Sequence, residues 1–140
     1  MKEKLQELLT NAYAPYSNYQ VASLVETNDN HFYGGVNVEN ASYGATICAE
    51  RNAINSAIKQ GYRKGDFKAL YVMVSADEVA FPCFICRQTI NEFFTGEEDL
   101  ILISKNNETK YKIKDIIVYP FGEENLKWNQ DLWASSVDPM

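Results

Sequence analysis

This 140-residue chain is short of positive charge, histidine and cysteine. Thirteen Lys and Arg face nineteen Asp and Glu, for a net charge of −6. A polyanion-binding protein needs a basic surface to displace counterions, so DNA and RNA are excluded as expected partners. No apolar run approaches the length of a bilayer span, so no membrane partner is expected. Repeats, low-complexity tracts and Pro/Gly-rich linkers are missing, and the length suits one domain over residues 1–140. The start, Met1 to Leu9, mixes charge with Leu at helical spacing and does not read as a signal peptide. Only three cysteines occur, an odd number. Together these point to reduced thiols and a cytoplasmic location rather than disulfides.

All three cysteines fall in one split pattern, Cys48-Ala49-Glu50 and Pro82-Cys83-Phe84-Ile85-Cys86. A Cys-x-x-Cys pair puts two thiolates within reach of one ion, and Cys48 brings a third. Zinc prefers four ligands, so three from protein leave one position for water. Glu50, two residues from a ligand, is placed to move that water's protons. The pattern predicts a hydrolytic centre with one Zn2+ per chain. The alternative is a closed structural site in which His31, the only histidine, is the fourth ligand. His31 sits in a polar hairpin turn with no reason to face the cysteines.

Leu5, Leu8, Leu9 and Ala12 predict a helix over residues 2–12, stopped before Pro15. Val21–Val25 and Phe32–Val36 predict a hairpin around Thr27-Asn28-Asp29-Asn30. Ile54, Ala57 and Ile58 predict a helix from Cys48, ended by Gly61. Ala69–Ser75 reads as a central strand buried on both faces. A second helix is predicted over Cys83–Phe94, then a buried strand at Leu100–Ile103 and a short one at Tyr111–Ile113. The tail after Gly122 is polar, with Trp128 and Trp133 as docking points, and mobility is expected after about residue 128. The fold class expected is α/β, a three-layer α/β/α sandwich around a mixed sheet. Both cysteine motifs open helices, whose N-termini stabilise thiolates. Three thiolates leave zinc electron-rich, and Arg51 and Arg87 are candidates to compensate that charge.

Four blocks resemble the cytidine deaminase family of zinc enzymes. They are Ala14-Pro15-Tyr16-Ser17-Asn18-Tyr19-Gln20-Val21, Asn37-Val38-Glu39-Asn40-Ala41-Ser42-Tyr43, Cys48-Ala49-Glu50-Arg51 and Pro82-Cys83 to Cys86-Arg87-Gln88. A weaker match is Phe121-Gly122. The resemblance implies zinc on Cys48, Cys83 and Cys86, with Glu50 shuttling protons. Activated water attacks C4 of the cytosine ring, and loss of ammonia gives uridine. It also implies that Asn37 and Glu39 grip the ribose hydroxyls and that Tyr19 packs on the nucleoside. The N–H of Ala49 and the carbonyl of Phe81 address the base edge. Small members of the family are homotetramers, so Phe121, and with it Tyr43, is expected to reach a neighbour's site; a dimer is the simpler assembly. Nine Tyr and seven Phe suit such an interface.

Three departures bear on substrate. Phe84 stands where the family has Gly, so it either crowds the ligand loop or fills space vacated elsewhere. The Ala76–Phe81 loop looks short. Tyr19 replaces Phe and adds a hydroxyl. The reading is a cytidine or deoxycytidine deaminase of pyrimidine salvage. The rival is a deaminase of another aminopyrimidine nucleoside such as blasticidin S. Such enzymes tend to lack the Asn-x-Glu pair and the Arg after the base, both present here. A nucleic-acid editing deaminase is disfavoured by the acidic balance. A catalytically silent, zinc-stabilised binding module is the reading from outside enzymology.

Overall fold

A computed structural model describes residues 1–126. Helix α1 (Lys2–Leu9) precedes a hairpin of β1 (Val21–Thr27) and β2 (Phe32–Val36). Then come α2 (Ala49–Lys59), β3 (Phe67–Val74), α3 (Phe84–Phe93), β4 (Asp99–Ile103) and β5 (Glu108–Lys112). The strands form one sheet in the order β2-β1-β3-β4-β5. Among the described strands only β3 and β4 pair in parallel, so the sheet is mixed. A parallel pair needs a crossover connection, and α3 supplies it.

Side chains alternate between the two faces of a strand. On one face Leu5 of α1 buries with Ala22, Leu24, Met73 and Ile103. On the other, Ile54 and Ala57 of α2 and Ile90 of α3 pack on Val25, Leu70, Val72, Leu100 and Leu102. The result is the expected three-layer sandwich. Strand β3 is covered on both sides, which is why its sequence is almost uninterruptedly apolar. Among the described residues, no helix is long and apolar enough to cross a membrane.

Strand β1 runs on to Thr27 and β3 starts at Phe67, both beyond the expected spans, and two further boundaries differ for a reason visible in the hydrogen bonds. Helix α1 stops at Leu9 rather than near Ala12, and Thr10 Oγ1 donates to Glu7 O at 2.7 Å. Beyond it the Tyr13 N–H donates to Asn37 O at 3.0 Å, and Tyr13 bridges Val38. That non-local pairing draws the chain out of the helix before Pro15 acts. Strand β5 begins at Glu108 and ends at Lys112. Asp115 then accepts the Lys112 N–H at 2.8 Å and starts a 3-10 turn at Ile113–Ile116. Trp128 and Trp133 lie outside the described residues.

Helix α2 is seated directly on β2, backbone against backbone. A Cβ at buried Gly35 would stand 2.6 Å from Ala49 O and 2.8 Å from the Asn52 carbonyl carbon, and would also strike Ala53 N. Asn52 Nδ2 fastens the same contact by donating to Val36 O at 2.8 Å. This contact sets the height of the α2 N-terminus, where Cys48 sits. Gly35→Ala is therefore expected to destabilise the fold by about 3 kcal/mol, because none of the struck atoms can rotate away. Gly34→Ala should cost less, since its nearest obstacle is the flexible end of Leu8 at 2.7 Å. Urea unfolding of both variants measures the difference; equal losses would show that α2 does not rest on Gly35.

Candidate active site

Cys48 is the N-cap of α2 and Cys83 the N-cap of α3, and Cys86 lies in the first turn of α3. Helix N-termini present N–H groups without intrahelical acceptors, and these favour negative charge. Two such ends meet here. The three Sγ atoms all lie within 4.8 Å of one another. Cys48 Sγ is 3.8 Å from Cys83 Sγ. Cys83 is exposed, Cys48 half-buried and Cys86 fully buried. Its hydrogen bond with Cys86, helped by Arg51 and Cys83, pulls the Cys48 thiol down to about 5. The same bond, burial and nearby Glu50 push Cys86 up. Such a sulfur-only set, with thiols competing to give up protons, fits one zinc ion. His31 takes no part: its Nδ1 lies 3.0 Å from Tyr62 Oη and 3.3 Å from an Asp29 oxygen. The closed Cys3His alternative is thereby set aside.

Glu50 is 5% exposed, on the first turn of α2. Burial, and then the Cys48 charge, push its carboxyl up to about 7. The two arginines lie differently. Arg51 Nη2 reaches Thr46 O at 3.3 Å and Cys48 Sγ at 3.9 Å. Arg87 instead donates through Nε to Pro82 O at 2.9 Å and through Nη1 to Ile116 O at 3.3 Å. Its guanidinium also lies 4.5 Å from the centre of the Phe84 ring. Phe84 itself is 80% exposed, so within this chain it neither crowds the ligand loop nor fills a void.

A pocket of about 340 Å³ opens beside the sulfur cluster. Cys48, Ala49, Glu50 and Cys83 line one part of it, and Tyr19, Val21, Val72, Val74, Ala80 and Phe81 supply apolar wall. Ser17, Asn37, Glu39 and Thr46 supply polar wall. Asn37 also organises the loop: Oδ1 accepts the Val21 N–H at 2.9 Å and Nδ2 donates to Tyr19 O at 2.7 Å. Glu39 Oε1 accepts the N–H groups of Tyr16 and Ser17 at 3.0 and 3.1 Å, and Oε2 accepts the Ser17 hydroxyl. Asn18, next after Ser17, has a φ of 58°, a left-handed conformation that Asn tolerates, and it turns the chain into Tyr19. Burial and the Glu50 charge raise the Tyr19 phenol above its usual range.

The Ser17 hydroxyl, with the two loop N–H groups, holds the Glu39 carboxyl below the usual carboxylate range. A depressed pKa means stabilisation that is complete above the ordinary Glu value of about 4.3 and lost as pH falls through the lowered one. Ser17→Ala should move the Glu39 midpoint up towards ordinary, as read from its side-chain carboxyl carbon by NMR. An unmoved midpoint would show that the Ser17 hydroxyl does not hold it.

Two of the expected substrate contacts lie outside this pocket. Tyr43 is 77% exposed, with its ring edge-on to Tyr16 at 6.1 Å. Phe121 sits over the outer side of α3, where its carbonyl accepts from Gln88 and Asn91 at 2.8 and 3.0 Å. The wall residues Ser17, Thr46, Val72, Val74 and Ala80 were not singled out in the sequence. Ser17 lay inside a quoted motif. Val72 and Val74 carried a signal in their same-face spacing at the end of β3.

A family model described as "Cytidine and deoxycytidylate deaminase zinc-binding region" matches residues 1–101. A cytidine deaminase of Mycoplasma pneumoniae is 40% identical over 116 residues, 81% of this chain and 86% of that protein. One from Mycoplasma genitalium is 38% identical over 110 residues, 79% of this chain and 82% of its own. Among solved structures, the cytidine deaminase of Burkholderia pseudomallei superposes with a TM-score of 0.81 at 37% identity, over 85% of this chain and 94% of that one. With both sequence and backbone matched over most of their length, the chain belongs to the cytidine deaminase family.

Proposed function

We propose that this protein deaminates cytidine and deoxycytidine hydrolytically, releasing ammonia and leaving uridine or deoxyuridine. The observation that carries this reading is a cluster of three cysteine sulfurs, two of them lining a nucleoside-sized pocket together with a buried glutamate. Zinc held by Cys48, Cys83 and Cys86 would supply Lewis-acid activation of water. The catalytic work of the chain falls to Glu50, which takes a proton from that water, passes it to a ring nitrogen and then to the departing amine. The Ala49 N–H, at the open start of α2, donates to the base edge, and the Phe81 carbonyl accepts from it. Tyr19 packs against the nucleoside. Asn37 and Glu39 take the ribose hydroxyls with the acceptor capacity that the loop leaves them. Arg51, beside the Cys48 sulfur, offsets the negative charge of the ligand set; Arg87 adds positive potential from behind the Cys83 loop.

Names of the matched relatives support the plain nucleoside over blasticidin S, and the Asn37, Glu39 and Arg51 set agrees with them. The role is pyrimidine salvage in the cytoplasm. The assembly is a homotetramer in which Phe121 and Tyr43 complete a neighbour's site. Its support is the exposure of Phe84, Tyr43, Tyr119 and Phe121, since aromatic surface of that extent suits burial in an interface. Ammonia release from cytidine, deoxycytidine and blasticidin S, measured side by side, tests the assignment. Turnover of the first two and not the third is expected; turnover of blasticidin S alone would overturn it.

A further inference from the structure

Phe81 is an aromatic side chain left 44% exposed one residue before the buried Pro82. It lines the same pocket as Cys48 and Glu50. Its ring also meets Tyr111 of β5, with centroids 5.1 Å apart and planes at 54°. Tyr111 in turn packs against the main core. The backbone on either side of Phe81 is tied down. Upstream, Ala76 O accepts the Lys105 N–H at 3.1 Å and Asp77 O accepts the Ser104 hydroxyl at 2.8 Å. Downstream, Arg87 holds Pro82 O. An exposed ring would ordinarily be free to swing in water. This one is braced by a partner ring, in a residue that lines the pocket beside its polar chemistry.

We infer that Phe81 is a specificity-determining wall that packs on the planar ring of a bound pyrimidine, and that Tyr111 is a positioning residue that keeps it there. The inference rests on the deaminase reading above and adds to it a role for β5, the strand farthest in the sheet from the β1–β2 hairpin. A wall of this kind binds ground state and transition state alike, so its loss appears in KM and not in kcat. An aromatic contact also favours a flat π-system over a saturated ring of equal size.

The test uses the zinc-loaded protein. Phe81→Ala should raise the KM for cytidine about tenfold with kcat within about twofold, as aromatic pairing and area together suggest. The inhibition constant of the product uridine should rise in parallel. Tyr111→Leu keeps apolar bulk on the core but removes the ring, and should raise both constants about threefold. Tyr111→Phe restores the ring without the hydroxyl and should stay within about twofold of the parent. Zinc content should equal the parent's in all three. Unchanged constants in Phe81→Ala would overturn the wall. A loss confined to kcat would overturn it as well. A Tyr111→Phe variant as impaired as Tyr111→Leu would overturn the brace. If the parent fails to deaminate cytidine yet Phe81→Ala weakens uridine binding, measured by calorimetry, the deaminase reading falls and the wall stands.

Discussion

Glu50→Gln is expected to lower kcat for cytidine by about 10² or more while the protein keeps its full zinc content. Glutamine copies the shape of glutamate and leaves all three sulfurs untouched, but it can neither accept a proton from water nor hand one to a ring nitrogen. The substitution also removes an ionisable group from a site where it is 5% exposed. Burying a carboxylate is costly, so the variant should unfold at the same temperature as the parent or a higher one. That combination, turnover lost with stability and metal retained, separates a proton carrier from a structural residue. Metal analysis, thermal melting and steady-state kinetics on one preparation read all three. A Gln variant that works at parental rate would sink the mechanism.

Cys86→Ala should cost both the metal and the activity. Cys86 is the fully buried member of the trio, and the two sulfurs that remain cannot hold zinc at neutral pH with comparable affinity. Binding to the native state alone stabilises it, so removing the metal removes that contribution from folding. The parent is expected to melt at a lower temperature when a chelator is added, whereas Cys86→Ala should melt low with or without it. His31→Ala is the matched control. His31 is bound to Tyr62 and Asp29 at the hairpin turn, and its loss should leave zinc content unchanged. A Cys86→Ala protein that still carries one zinc per chain would refute the ligand set, and a His31→Ala protein without zinc would revive the closed site.

The metal centre was legible in the sequence because its signal is local. Cys-Ala-Glu and Cys-x-x-Cys each fix their own geometry, and a helix starting at each follows from the apolar spacing behind it. The sandwich was legible for a similar reason: β3 reads as apolar on both faces because helices cover both. What stayed hidden depends on contacts distant in sequence. The end of α1 is decided by Tyr13 pairing with Val38, a partner that no local pattern announces. Arg87 follows a ligand in sequence, yet consecutive residues on a helix point in different directions, and its guanidinium turns to Pro82 O and Ile116 O. The polar pair Asn37 and Glu39 was found, but the hydrogen bonds that tie both to the Tyr16–Val21 loop were not, because they link segments about twenty residues apart. Gly34-Gly35 read merely as part of a strand, and nothing nearby distinguished the second glycine from the first.

That second glycine marks a position with no room for a side chain. In the proposed reaction Glu50 and the three sulfurs would be guarded by chemistry, which a selection for activity detects at once. Position 35 touches no reactant, yet it admits no side chain at all while a helix lies across it. A saturation library there, screened only for soluble protein, should return glycine almost alone, whereas the same screen at position 50 should return many residues. Intolerance to change in this enzyme will therefore map two different things, and only one of them is the reaction.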